Sequence, residues 1–195
     1  MSFAKIIPFI LIISLFTHCT DNDPNKNLLE APEKWKGEII EFPLEFAPSL
    51  SYSGIEYVRF APDWGKKGAS DHFSYAFLWD INENPQLSSK KIESEMETYF
   101  DGLMNTVSKE SDLSNKEIPK AKAFFEKVND SVFIGKILTY DAFITKDKIS
   151  LNCIVNYHYC NNTSTHQVLF NLSPQPLEHP IWKRLKQIKT NTVCK

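Results

Sequence analysis

An excess of charge of either sign is missing from this chain. Its 22 Lys and Arg face 24 Asp and Glu, a formal net charge of -2. Without a basic excess there is little to neutralise a phosphate backbone, so nucleic acid is not an expected partner. Glycine is scarce, at 6 of 195 residues, and neither a G-x-G-x-x-G nor a P-loop pattern occurs that would cradle phosphates. There is no G-x-S-x-G elbow and no kinase signature either, which removes the common sequence marks of hydrolases and phosphotransferases. No CxxC or HExxH spacing is present, so neither a metal nor any other cofactor is expected. No internal repeat is visible, and the length fits one domain. What the chain does have is a 42% hydrophobic content with 14 Phe, enough for a core rich in rings.

Long apolar runs are absent as well, apart from a short one at the start. Lys5 precedes Ile6 to Phe16, a stretch interrupted by Pro8 and Ser14. An apolar region of roughly 7–15 residues is the size of a secretory signal, whereas a membrane-spanning helix needs about 20. The run lacks the polar face that a buried amphipathic helix would show. Loss of residues 1–18 would remove Lys5 and take the net charge from -2 to -3.

Leu15-Phe16-Thr17-His18-Cys19 resembles a bacterial lipobox, with Phe16 in place of the usual aliphatic and His18 in place of a small residue. The resemblance covers only the first 19 residues. It implies a bacterial lipoprotein, cleaved before Cys19, which would carry diacylglycerol and hold the chain on a lipid bilayer. Each buried CH₂ contributes about 0.8 kcal/mol, so several acyl chains anchor firmly where one does not. The expected location is the cell envelope, on the outer membrane at its periplasmic or surface face. Asp21 and Asp23, just after Cys19, look like the surface-export signal of some Gram-negative lipoproteins; a plain acidic linker reads the same way. Residues 19–34 form the lipidated start and a flexible tether, and residues 35–195 a single globular domain.

Within that domain, Glu38–Phe42, Ile55–Phe60 and His72–Ile81 read as strands, while Leu44–Phe46 between Pro43 and Pro48 reads as an edge strand or extended loop. Phe73, Tyr75, Phe77 and Trp79 alternate with His72, Ser74, Ala76 and Leu78, which marks a central strand covered on both faces. Ile92, Met96, Tyr99, Phe100, Leu103, Met104 and Val107 trace one helical stripe, capped by Ser88 or Ser89, with Glu93, Glu95, Glu97 and Asp101 pointing elsewhere. Gly102 beside that stripe permits close approach of another segment. Four further strands, 121–128, 132–143, 149–159 and 167–172, are joined by short turns and suggest an antiparallel meander. Pro180 opens a last helix with Ile181, Leu185 and Ile188 on one side. The expected fold is α+β, a mostly antiparallel sheet of six to seven strands with one long helix and a C-terminal helix packed on it. PsbP-like, cystatin-like and NTF2-like sheets all fit this order.

With Cys19 assigned to lipid, three cysteines remain. Strand parity puts Cys153 on the apolar face, as a buried free thiol, and Cys160 on the other face near a turn. Cys160 and Cys194 are therefore the expected disulfide, permitted by an oxidising envelope. A zinc site built from Cys160, His158 and His166 or His179 competes with it, without supporting spacing.

Candidate functional residues are few. Asp63, Asp71 and His72 bracket one loop and could supply a histidine base with a carboxylate partner; as plain structure, Asp63 begins a turn and His72 caps a strand. Trp35 and Trp64 lie in loop-like segments and are candidate contacts for a protein or carbohydrate partner. Asn161-Asn162-Thr163 and Asn171-Leu172-Ser173 match glycosylation sequons, which arise by chance in bacterial chains. The leading expectation is a non-enzymatic envelope lipoprotein with an interaction or structural domain and an envelope protein partner. The alternatives are a small apolar-ligand-binding lipoprotein and a hydrolase using Asp63, Asp71 and His72.

Overall fold

In the computed structural model, residues 27–109, 117–191 and 194 are described. The order of elements is β1 (Leu29–Glu30), β2 (Lys36–Glu41), β3 (Gly54–Phe60), β4 (Tyr75–Ile81), α1 (Ser89–Lys109), β5 (Lys122–Lys127), β6 (Val132–Asp141), β7 (Asp147–Cys160), β8 (Thr165–Ser173), α2 (Ile181–Leu185) and β9 (Lys189–Thr190). Seven strands form one antiparallel sheet in the order β2-β3-β4-β8-β7-β6-β5, and β1 pairs with β9 in a separate two-stranded ribbon. The meander of β5 to β8 is thus joined to the first three strands through the β4–β8 pair, with Phe77 opposite Phe170. Among the described residues no helix is long and apolar enough to cross a membrane.

Alternation along the strands divides two cores. Tyr75, Phe77, Trp79 and Ile81 of β4 enter the larger one, with Phe170 and Leu172 of β8, Val155 and Cys153 of β7, and the α1 stripe Ile92, Met96, Tyr99, Phe100 and Met104. Ala76 and Leu78 face the opposite side, where Leu29, Trp35, Ile181, Trp182, Leu185 and Ile188 cover them. The central strand is therefore buried on both faces, as its sequence pattern predicts. It begins at Tyr75 rather than His72, because Asp71 to Ser74 closes a turn through the Ser74 amide and the Asp71 carbonyl, 3.1 Å.

Ser88 caps α1, its hydroxyl accepting the Lys91 amide at 3.2 Å. The stretch around Leu44 to Phe46 is a turn-rich loop rather than a strand. It folds back on α1 so closely that a Cβ at Gly102 would overlap the Phe46 carbonyl. The C-terminal helix has only five residues. The tether boundary at Lys34 lies too late: Leu29 is fully buried and pairs with Thr190, so the domain holds the chain from Asn27 onward. Asn27 itself donates to the carbonyls of Glu38 and Val58, each at 3.0 Å.

Candidate functional site: an aromatic cleft under the helix

A seven-stranded sheet is about 29 Å wide at roughly 4.8 Å per strand spacing. One helix covers a band of about 10 Å. Helix α1 lies on the β5–β6 half, so the β2–β3 end of the same face needs another cover. The loop of residues 42–50 supplies part of it through Phe42, Leu44, Phe46, Ala47 and Leu50. What stays open is a cleft of about 680 Å³. Its walls are Val58, Phe60 and Tyr75 from the sheet, Tyr99, Leu103 and Val107 from α1, and Trp64, Phe73 and Phe143 from the connecting turns; Lys36, Glu38, Asp63 and Lys66 also line it.

The aromatic wall is continuous. Trp64 meets Phe60 edge-on at 5.0 Å and Phe143 at 5.2 Å, and Phe60 stacks on Tyr75 at 5.8 Å. Such contacts add about 0.5–1.5 kcal/mol per pair beyond area burial, so the wall is held in shape. Tyr99 stacks on Phe77 at 5.0 Å and joins this wall to the core.

One acid lies among these rings. Glu56 of β3 lines the cleft yet is fully buried. Its carboxylate accepts from the Trp79 indole at 2.7 Å and from the Tyr99 hydroxyl at 3.1 Å. Burial pushes its pKa up to about 7, the two donors pull it partly back, and the Glu38 carboxylate adds to the rise. The same burial, with Glu56 nearby, raises Tyr75 and Tyr99 well above the usual phenol range, so both keep their protons. The Tyr75 hydroxyl and the Trp64 indole nitrogen are buried without a hydrogen-bond partner. Most buried polar groups are paired, and each unpaired one costs about 1–3 kcal/mol. Both atoms belong to residues that line the cleft, and both are themselves buried in its wall.

The residues singled out by sequence fall in several places. Trp64 lines the cleft, half-buried, rather than standing on the surface. Trp35 is 7% exposed and packs in the smaller core with Arg184 over its ring at 5.4 Å, so it is not a contact surface. Asp63, Asp71 and His72 diverge. Asp63 is exposed at the cleft rim, Asp71 accepts from Arg184 near α2 at 3.3 Å, and the His72 ring lies 3.5 Å from Asp141. Asp71 and His72 thus engage different partners, and no ion pair joins them to one another. Asp141 in turn accepts the amides of Phe143, Ile144 and Thr145, which makes it the cap of the β6–β7 turn. Cys160 is bonded to Cys194, and Cys153 is buried and free. That bond removes Cys160 from any zinc set, while His166 engages the Tyr157 hydroxyl at 2.8 Å and His179 accepts the Ile181 amide at 3.2 Å. Among the described residues no cluster of three or more His, Cys, Asp or Glu could hold a metal ion. Cys19 lies outside the described residues.

Glu56 is the residue that reading by sequence passes over. Its signal is present: in Glu56-Tyr57-Val58-Arg59-Phe60 the acid shares the face of Val58 and Phe60. Acids are almost never fully buried unless paired, so an acid on the apolar side of a strand marks its own position. Comparison with known proteins adds nothing to this geometry: no family model, no curated protein and no solved structure matches the chain.

Proposed function

We propose that the chain is a lipid-anchored envelope protein whose mainly antiparallel α+β domain binds a small apolar ligand between the sheet and α1. The observation that carries this reading is the 680 Å³ aromatic cleft with a buried acid among its lining residues. Ligand sites of small molecules are mostly apolar concavities of about 300–1,000 Å³ with a few placed polar groups. Binding is favoured over the hydrolase reading by the separate neighbours of Asp63, Asp71 and His72. Protein contact through Trp35 and Trp64 loses support for a similar reason, since one is buried in a core and the other faces the cleft.

The anchor rests on Lys5, the apolar run and Cys19, and the oxidised Cys160–Cys194 pair fits an envelope address. From Cys19 to Asn27 the chain reaches at most roughly 30 Å when fully extended. The cleft would thus work close to a bilayer, where apolar molecules are concentrated.

Titration with N-phenyl-1-naphthylamine, an uncharged fluorophore that brightens in apolar surroundings, tests the binding. Saturable enhancement at micromolar concentration is expected, and Leu103→Trp, which fills the cleft from α1, should weaken it at least tenfold while the circular dichroism spectrum is kept. Absence of saturable binding, or equal affinity in the filled variant, overturns the reading. Metabolic labelling with palmitate checks the anchor, with signal expected in the natural chain and none in Cys19→Ala.

A further inference from the structure

We infer that the cleft selects a molecule bearing a planar aromatic ring system over a saturated one of the same carbon skeleton. The inference rests on the binding role proposed above and names the chemical class of the ligand. It follows from which surfaces the cleft leaves open.

Four of the lining rings, Phe46, Phe60, Trp64 and Phe143, are only partly buried. Each is backed by a ring that is buried. Phe60 stacks on Tyr75 at 5.8 Å, and Phe46 meets Tyr99 edge-on at 5.0 Å. Phe73 lies behind both Trp64, at 5.5 Å, and Phe143, at 6.3 Å. The rings thus form two layers, an open one along the cleft and a buried one behind it. The buried layer fixes the orientation of the open one, so the wall is in place before a ligand arrives.

The angles within the open layer carry the selection. Trp64 is inclined to Phe60 by 61° and to Phe143 by 71°. An aromatic ring is negative on its faces and positive at its edge. Rings set across one another present both kinds of surface side by side. A flat aromatic guest can answer each with the opposite part of its own quadrupole. A saturated skeleton has no quadrupole, and its puckered body cannot lie flat on a ring.

The rest of the lining does not discriminate between two uncharged guests. Ile40, Leu103 and Val107 are partly buried and offer apolar contact to either. Lys36, Lys66, Glu38 and Asp63 are exposed, two of each sign, and water screens them. Both oxygens of Glu56 are engaged by Trp79 and Tyr99. The choice falls to the rings.

Displacement of bound N-phenyl-1-naphthylamine at pH 7 by naphthalene-2-methanol and by decahydronaphthalene-2-methanol tests it. The two share one skeleton and one hydroxymethyl head. The saturated alcohol has at least as much apolar surface, so burial alone gives the aromatic one no advantage. The aromatic alcohol is expected to bind severalfold more tightly. That ratio should fall about two- to tenfold in Trp64→Leu, the range for one ring contact. Leu103→Ala should weaken both alcohols and leave the ratio as it was. Should Trp64→Leu not fold, Phe143→Leu reads the same ratio through the neighbouring ring. Equal affinities, preference for the saturated alcohol, or an unchanged ratio in the folded ring variant overturns the inference. A ratio that falls as far in Leu103→Ala does so too, as does failure of both alcohols to displace the fluorophore. In each of these cases the binding role survives on the saturable titration of the fluorophore itself; if that titration fails, the binding role and the inference fail together.

Discussion

The backbone amide of Phe125 donates to the side chain of Glu93, 2.9 Å away on helix α1. It is the first of a ladder. Ala123 donates to Glu97 at 3.2 Å and Ala121 to Asp101 at 2.7 Å. Acids four residues apart advance about 6 Å along a helix, and amides two residues apart about 6.6 Å along a strand, so the two rows stay in step. Strand β5 is the last in the sheet, and these are outward amides of β5 and of Ala121 just before it. An open edge of that kind is a template for pairing with another chain. Here a row of carboxylates occupies it.

Replacing all three acids by alanine should therefore do two things. Hydrogen bonds to charged groups are worth about 1.5–3 kcal/mol when buried. Glu97 and Asp101 keep 31% and 24% of their side chains exposed, so solvent discounts each to roughly 1 kcal/mol. A total loss of about 2–3 kcal/mol is expected in urea denaturation, together with concentration-dependent association in light scattering. Glu93→Gln, which keeps an acceptor, should lose less than Glu93→Ala. An unchanged midpoint in a monodisperse triple variant would rule the edge-cap role out.

Gly102→Ala separates helix propensity from packing. In an open helix position the change stabilises by about 1 kcal/mol. At this position the new Cβ would overlap the Phe46 carbonyl, and the obstacle is backbone rather than a flexible side-chain end. Overpacking of that kind costs about 1–3 kcal/mol, so the net effect should be destabilising. Thermal unfolding reads the sign directly. A raised melting temperature would mean that the Phe46 loop yields without cost.

Much of this architecture is legible in local patterns. The alternation around Phe77, the α1 stripe and the parity that separates Cys153 from Cys160 each depend on neighbours within one element. What sequence does not disclose depends on pieces brought from elsewhere. Glu93, Glu97 and Asp101 look like a solvated helix face until β5 lies beside them. Leu29 sits in a polar segment, and its burial needs β9 and α2. Trp35 is buried for the same reason, under Arg184. The cleft is less legible still, because it arises from the difference between the width of seven strands and that of one helix. Glu56 alone gives a local sign of it.

Glu56 predicts an unusual pH dependence. Its ordinary value of 4.5 rises to about 7 in the folded protein, chiefly through burial. The folded state then binds the proton more tightly than the unfolded chain, so stability falls as pH rises. The contribution is fully present below pH 4.5 and is lost progressively up to about pH 7. At 1.36 kcal/mol per unit the loss is on the order of 3 kcal/mol. Glu56→Gln cannot ionise, and the difference in stability between it and the natural chain should shift by that amount across this window. Glu83 and Asp130 are held low by hydrogen bonds and an ion pair, and they cancel in the comparison. A constant difference from pH 4.5 to 7.5 would contradict the assignment.

The cysteines divide into one structural bond and one inert thiol, and reduction should distinguish them. Cys160 and Cys194 are 34 residues apart, so their bond ties the end of β7 to the chain beyond β9. A loop of that length contributes about 4 kcal/mol in the chain-entropy estimate. The Cys160→Ser, Cys194→Ser double variant should lose up to that amount and should no longer respond to dithiothreitol. Cys153 is fully buried in the larger core, and burial pushes its thiol far up. Thiolate is the reactive form, so Cys153 should resist maleimide in the folded state and react only at the rate of unfolding. Mass spectrometry of protein pulsed with maleimide, with and without urea, reads this site by site. Prompt labelling of Cys153 under native conditions would show that the core beneath α1 opens far more readily than its packing implies.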